Sequence, residues 1–222
     1  MKRSKTLYFA LLIFFLLIAG GTYYLHGRSS GNMVEPEIKF NATNLKPLNS
    51  NLTLVYRSRE YSNGELVQNS TRIFTISRKG NDIIMVERFR TEWWQPSYSL
   101  YEGTTHAEIA NSTPIIYQPD GSIFVKGKRA EVDLFRIGYP YSPVFEQLKA
   151  ERGYTLRLCC ANLTVENVRT INGRECIIVK AETEDATLKL VIDAKTRLLL
   201  WRCGLSGDQR SCQWEEWLIS SK

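Results

Sequence analysis

Ile171-Asn172-Gly173-Arg174-Glu175-Cys176-Ile177-Ile178-Val179, followed by Leu188-Lys189-Leu190-Val191-Ile192-Asp193-Ala194-Lys195-Thr196-Arg197-Leu198-Leu199-Leu200, decides how this chain is read. Asn-Gly is the strongest short hairpin signal, because both residues tolerate the left-handed backbone that a two-residue turn requires. Strands are therefore predicted at Cys176–Glu182, Leu188–Asp193 and Arg197–Cys203. Asp193 and Thr196 carry short oxygen-bearing side chains suited to capping a tight turn between the last two. Apolar residues on both sides of that turn fit a curved sheet.

The same grammar extends outward. Tyr154–Cys160, Val165–Ile171 and Gln213–Ser220 read as strands flanking the quoted stretch. Upstream, Leu52-Leu54-Tyr56 alternates with polar neighbours. Asn63-Gly64 and Lys79-Gly80-Asn81-Asp82 supply turns, and Ile73–Ile76 and Ile83–Phe89 the strands around them. Further turns are expected at Glu102-Gly103 and Pro119-Asp120-Gly121, with Ser122–Lys126 after the latter. One helix is predicted at Ser142–Arg152, with Ser142 as N-cap, Pro143 at the first helical position and Gly153 as terminator. Val144, Phe145 and Leu148 form its buried stripe. The predicted fold is mainly β: a strongly curved antiparallel half-barrel meander with one inserted helix.

The quoted stretch resembles hairpins of LolA-like, LppX-like and RseB-like periplasmic domains. That resemblance covers roughly residues 171–203. It implies an open, curved antiparallel sheet wrapped around helices, with a concave apolar face able to hold a lipid or a hydrophobic protein segment. It carries over no individual binding residue.

The N-terminus sets the expected topology. Lys2, Arg3 and Lys5 precede an uncharged apolar run from Leu7 to Leu25. About 19 helical residues reach about 28 Å, close to the hydrocarbon thickness of a bilayer. The positive-inside rule makes 1–6 a cytoplasmic tail, 7–25 a transmembrane signal-anchor, 26–47 a juxtamembrane linker and 48–222 an extracytoplasmic domain. The expected location is thus the cell membrane, single-pass. Cleavage near Gly21, after the small residues Ala19-Gly20, would instead give a secreted protein.

Export chemistry agrees with this direction. Five Asn-x-Thr triplets, at Asn41, Asn51, Asn69, Asn111 and Asn162, follow the anchor as glycosylation acceptors. All five cysteines fall late. Cys203 and Cys212 flank a turn-rich segment and are predicted to bridge across a hairpin. Directly opposed, they would put Trp201 beside Trp214, with Leu198 and Trp217 on the other face. Cys176 is left to pair with Cys159 or Cys160, with Cys160 preferred.

Several function classes are disfavoured. The net charge of +6 is partly the anchor's, and Arg57-Arg59, Arg88-Arg90 and Lys126-Lys128-Arg129 read as a solvated sheet face rather than a nucleic-acid stripe. No metal-ligand spacing occurs, and no cofactor motif, G-x-S-x-G, P-loop or H-E-x-x-H. Glu215 and Glu216 are adjacent, so on a strand they point to opposite faces and cannot act as a catalytic pair. His106 reads as an ordinary strand residue. Trp93, Trp94, Trp201, Trp214 and Trp217 are the candidate hydrophobic contacts. The expected function is a membrane-anchored binding module for a lipid or hydrophobic protein segment. The alternative is a structural or interaction protein of the cell envelope without a small-molecule ligand.

Overall fold

The structure, a computed structural model, describes residues 37–43, 45–48, 51–62, 65–94, 97–205 and 211–222. The expected tail and membrane span lie outside these. No helix among the described residues is long and apolar enough to cross a membrane.

Twelve strands form one open antiparallel sheet. They are β1 Leu52–Ser62, β2 Glu65–Lys79, β3 Asp82–Trp93, β4 Ser99–Ala110, β5 Thr113–Tyr117 and β6 Ile123–Lys126, then β7 Thr155–Arg157, β8 Ala161–Ile171, β9 Arg174–Thr183, β10 Thr187–Asp193, β11 Leu199–Leu205 and β12 Cys212–Ser221. The spatial order β6-β5-β4-β3-β2-β1-β12-β11-β10-β9-β8-β7 joins two meanders through a central β1–β12 pair. The chain between the edge strands β6 and β7 crosses one face and carries two helices, α1 Lys128–Ile137 and α2 Pro143–Gln147.

Both wings pack against α1 on that face. Ala130 and Leu134 pack with Leu54, Phe74, Met85 and Ala107 of the first wing. Val132 and Phe135 pack with Leu163, Val179 and Leu190 of the second. Burying such a side chain contributes about 1.5–3 kcal/mol, so this one short helix links the two wings.

Two helices stand where one was predicted. Ser142 caps α2 as expected, its Oγ accepting from Val144 N at 3.4 Å, with Pro143 at the first turn. The helix stops at Gln147 rather than Arg152, because Leu148 turns to φ −71°, ψ 126°. Val144, Phe145 and Leu148 are nonetheless buried. The missed helix, α1, has Gly127 as N-cap with no side-chain cap and begins with Lys128-Arg129. Those two residues leave the expected basic sheet face for the first turn of a helix.

The quoted stretch folds largely as read. Asn172 and Gly173 take φ 50° and 75° between β8 and β9. Asp193 Oδ1 accepts from Thr196 N at 2.7 Å and Thr196 Oγ1 at 2.9 Å, closing the β10–β11 turn. Residues 37–48, by contrast, do not behave as linker. Phe40, Ala42, Leu45 and Leu48 are buried, and they join the cluster containing Cys176, Ile178 and Val191 on the outer face. Arg174 ties this strap down, donating to the carbonyls of Ala42 at 2.9 Å and Leu45 at 3.3 Å and to Asp193 at 2.9 Å.

The Cys203–Cys212 disulfide is present, with Cα atoms 5.6 Å apart, but the predicted register is corrected. Cys212 opposes Leu205, and Cys203 opposes Glu215. Trp201 therefore faces Trp217, while Trp214 faces Gly204. The cause is local. The ladder shifts between Gly204 and Leu205, and the Trp214 ring lies so close over Gly204 that a Cβ there would stand 2.3 Å from Nε1.

Candidate ligand-binding cleft

Along β1, β2 and β3 the inner-face residues change character at the same level. Leu52, Leu54 and Tyr56 give way to Ser58 and Glu60; Ile76 and Phe74 to Arg72, Ser70 and Gln68; Met85 to Glu87, Phe89 and Thr91. Alternation puts all of these on one face. The apolar halves lie under α1. The polar halves do not, and they open as a cleft of about 400 Å³.

A row of paired charges marks the boundary. Arg202 Nε donates to Glu216 at 2.6 Å, and Arg72 bridges Glu216 at 2.8 Å and Glu87 at 2.5 Å. Thr105 Oγ1 donates to Glu87 at 2.9 Å and lies 3.1 Å from the Tyr139 hydroxyl. Arg202 also donates to the carbonyls of Phe135, Arg136 and Ile137 at 3.4, 2.6 and 3.1 Å. These are last-turn carbonyls of α1, left without intrahelical partners and carrying the negative end of the helix dipole. Gly138 makes this approach possible. At φ 93° it leaves room where a Cβ would come within 2.2 Å of Arg202 Nη2 and 2.4 Å of Arg72 Nη1.

Electrostatics follow from burial. Burial opposes ionisation of Glu216, but Arg202 and Arg72 outweigh it and hold its carboxyl below the ordinary value. Burial lowers the Arg202 guanidinium. Burial pushes Tyr139 up to about 12 and Tyr56 well above its usual range. These groups stay in one charge state near neutrality and serve as a fixed floor rather than as acid or base.

The cleft walls are aromatic. Phe89 stands on the β3 side and Trp214 on the β12 side, with Arg202 stacked 4.7 Å from the Trp214 ring centroid. Three strand spacings of about 4.8 Å separate β3 from β12, so the floor is about 14 Å wide along the sheet. Ser70 and Thr91 hydrogen-bond side to side at 2.9 Å on it.

The other predicted contact residues scatter. Trp201 is fully buried, its Nε1 without a partner among the described residues. Trp217 is half-buried on the outer face, with Arg59 5.4 Å from its ring centroid. Trp93 ends β3, and Trp94 beyond it is exposed. Of the candidates, only Trp214 lines the cleft. Phe89, Arg72 and Arg202 were missed; strict two-residue alternation from Leu54 and Phe74 was the available signal for Arg72.

Asn41, Asn51, Asn111 and Asn162 are exposed and Asn69 is half-buried. None lines the cleft. Asn69 and Asn162 alternate with inner-face residues and so point outward, Asn51 immediately precedes β1, and Asn111 sits in the β4–β5 turn.

The expected Cys160–Cys176 bridge is not formed; Cys159, Cys160 and Cys176 are free thiols. Register explains it. Cys160 precedes Ala161, which opposes Thr183 on β9, while Cys176 lies at the other end of that strand. Seven residues at ~3.4 Å make about 24 Å, against a Cα limit near 7 Å. Cys159 is excluded from Cys176 by the same distance. Among the described residues no group of three or more His, Cys, Asp or Glu converges as a metal site.

No protein-family model matches the chain, and no curated protein sequence matches it. The chain is similar to MucB. That protein's crystal structure, in complex with MucA(peri), shares 10% identity at a TM-score of 0.36, over 78% of this chain and 49% of that one. This chain thus spans about half the length of MucB. A LolA superfamily protein from Nitrosomonas europaea shares 9% identity at a TM-score of 0.23, over 78% of this chain and 69% of that one.

Proposed function

We propose that this chain is an extracytoplasmic binding module, held to the membrane by residues 7–25, whose inner-face cleft receives an extended segment of another protein. The observation that carries the reading is the uncovered half of the inner face. It is a preformed cleft with a polar floor and aromatic walls, set above a rigid ionic row. A width of about 14 Å suits one extended backbone with its side chains. Ser58, Gln68, Ser70 and Thr91 present hydrogen-bonding groups, while Phe89 and Trp214 offer apolar contact for an alternate side chain.

A lipid chain is the poorer fit. It would cover the hydroxyl and amide groups of the floor without replacing their water, at about 1–3 kcal/mol for each group left unpaired. The outward sequons favour an inner-face ligand, since glycans there leave the cleft clear. The disulfide and the sequons together favour an oxidising, glycosylating compartment.

The test is selection from a displayed-peptide library against the full-length protein in detergent, with two substitutions as the control. Ser58→Arg fills the cleft, while Thr71→Arg points outward from the neighbouring strand. Selected peptides should lose about tenfold or more in affinity, ~1.4 kcal/mol, with Ser58→Arg and nothing with Thr71→Arg. Equal loss from both, or a stoichiometric lipid in native mass spectrometry that Ser58→Arg displaces, would overturn the reading.

A further inference from the structure

The β7–β8 hairpin closes on an unusual pair. Leu158 N donates to the Ala161 carbonyl at 2.8 Å, and the two residues between them are Cys159 and Cys160. Two-residue hairpin loops normally need left-handed residues, supplied by Asn, Asp or Gly. Two other tight turns of this chain obey that rule, Asn111-Ser112 at φ 48° and 64° and Asn172-Gly173 at φ 50° and 75°. Neither cysteine has a positive φ. Backbone preference therefore does not account for this loop, and what distinguishes it is two adjacent thiols.

Their sulfurs lie 3.2 Å apart, about 1.2 Å beyond the bonded separation of ~2.05 Å. Cys203 and Cys212 are committed to each other, and Cys176 is out of reach along β9. Within the chain, each of these two thiols therefore has the other as its one available partner. The bridged Cys203–Cys212 pair points to an oxidising setting.

We propose that Cys159 and Cys160 close a vicinal disulfide, formed by exchange with a disulfide oxidant, either a thiol–disulfide oxidoreductase or a small-molecule disulfide. The Cys159 thiolate attacks the oxidant disulfide and expels one of its sulfurs as a thiolate. The Cys160 thiolate then attacks Cys159 Sγ, releasing the oxidant's second sulfur. The two cysteines lose two protons and two electrons, and the oxidant leaves as thiols. Cys159 is the exposed member. Burial and the neighbouring thiol push Cys160 up to about 11; Cys159, the more exposed of the two, is the sulfur an oxidant reaches first.

Adjacent Cα atoms stand about 3.8 Å apart, short of the usual disulfide range of ~4.4–6.8 Å. The Cys203–Cys212 pair, at 5.6 Å, falls within it. The vicinal bond is therefore the more easily reduced of the two. It sits at an end of the edge strand β7, beside Arg129 and Glu184, where opening it uncovers a reactive thiol.

Tryptic mapping tests this cleanly, because Arg157 and Arg169 bracket a peptide, 158–169, that holds both cysteines and excludes Cys176. The full chain is equilibrated in a glutathione buffer that closes Cys203–Cys212, the internal control. It is then blocked with N-ethylmaleimide in denaturant, freed of any glycan at Asn162 and digested without reductant. Peptide 158–169 should appear unalkylated, lighter by two hydrogen atoms, and become alkylatable at dithiothreitol concentrations that leave Cys203–Cys212 intact. Alkylation of both cysteines while the control is closed would overturn the proposal. So would a cross-link from this peptide to a second copy of the chain or to the Cys176 peptide.

Discussion

Arg202 and Glu216 face each other across β11 and β12 at 2.6 Å, with Arg202 7% exposed and Glu216 1%. Removing one member of a buried pair leaves the other's charge uncompensated, which costs about 3–5 kcal/mol. Arg202→Met also strips the partners from three terminal carbonyls of α1. We expect a loss of at least that size by urea denaturation of the full-length protein. Arg202→Met combined with Glu216→Met should recover part of it.

The acid limb of stability should carry the signature of Glu216. Its folded pKa lies below the ordinary value of 4.5, so the stability it contributes is present above that value and is lost as pH falls through the folded pKa. A melting-temperature profile should be level down to about pH 5 and fall below about 4.5. Glu216→Gln should lower the plateau and make the acid decline shallower. An unchanged slope would remove Glu216 as the titrating group.

Gly138→Ala meets two obstacles, the left-handed backbone at φ 93° and guanidinium atoms within 2.4 Å. Left-handed strain alone costs about 1–2 kcal/mol, and the displaced Arg202 adds to it. The variant should melt well below the parent. Gly173→Ala, at φ 75° with open space around it, should lose only the backbone contribution. Comparing the two melts isolates the contact.

Much of the sheet was legible because hairpin chemistry is local. Asn172-Gly173 and Asp193 with Thr196 state their turns within a few residues, and the alternation of Leu52, Leu54 and Tyr56 states a face. What was not legible depended on distant partners. Helix α1 begins at an uncapped glycine and buries Asp133 between Arg129 and Arg136, so neither its start nor its apolar stripe follows the usual pattern. Glu216 reads as solvent-facing until Arg202 and Arg72 arrive from other strands. The Cys203–Cys212 register turned on the packing of Trp214 over Gly204, which spacing does not encode. Residues 37–48 bury Phe40, Ala42, Leu45 and Leu48 without any periodicity, since a strap has no face to repeat.

That strap gives a further expectation. Arg174 holds two of its carbonyls and Asp193 at once. Arg174→Met should release residues 37–48 from the outer face while the sheet hydrogen bonds persist. Hydrogen exchange should rise in the strap and at the β10–β11 turn well before it rises in β9. Uniform deprotection would mean that the strap and the sheet unfold as one unit.

The central pairing of β1 with β12 ties the first strand of the described sheet to its last in chain order. Until Cys212–Ser221 exists, β1 has only β2 beside it, and the two meanders are separate sheets with unpaired edges where they should meet. Joining of the two wings is thus gated by synthesis of β12. The first wing must wait with an open flank, in conditions where stray strands from neighbouring molecules compete for it. Arg57 and Arg59, set along that flank of β1, place charge where such a competitor would dock.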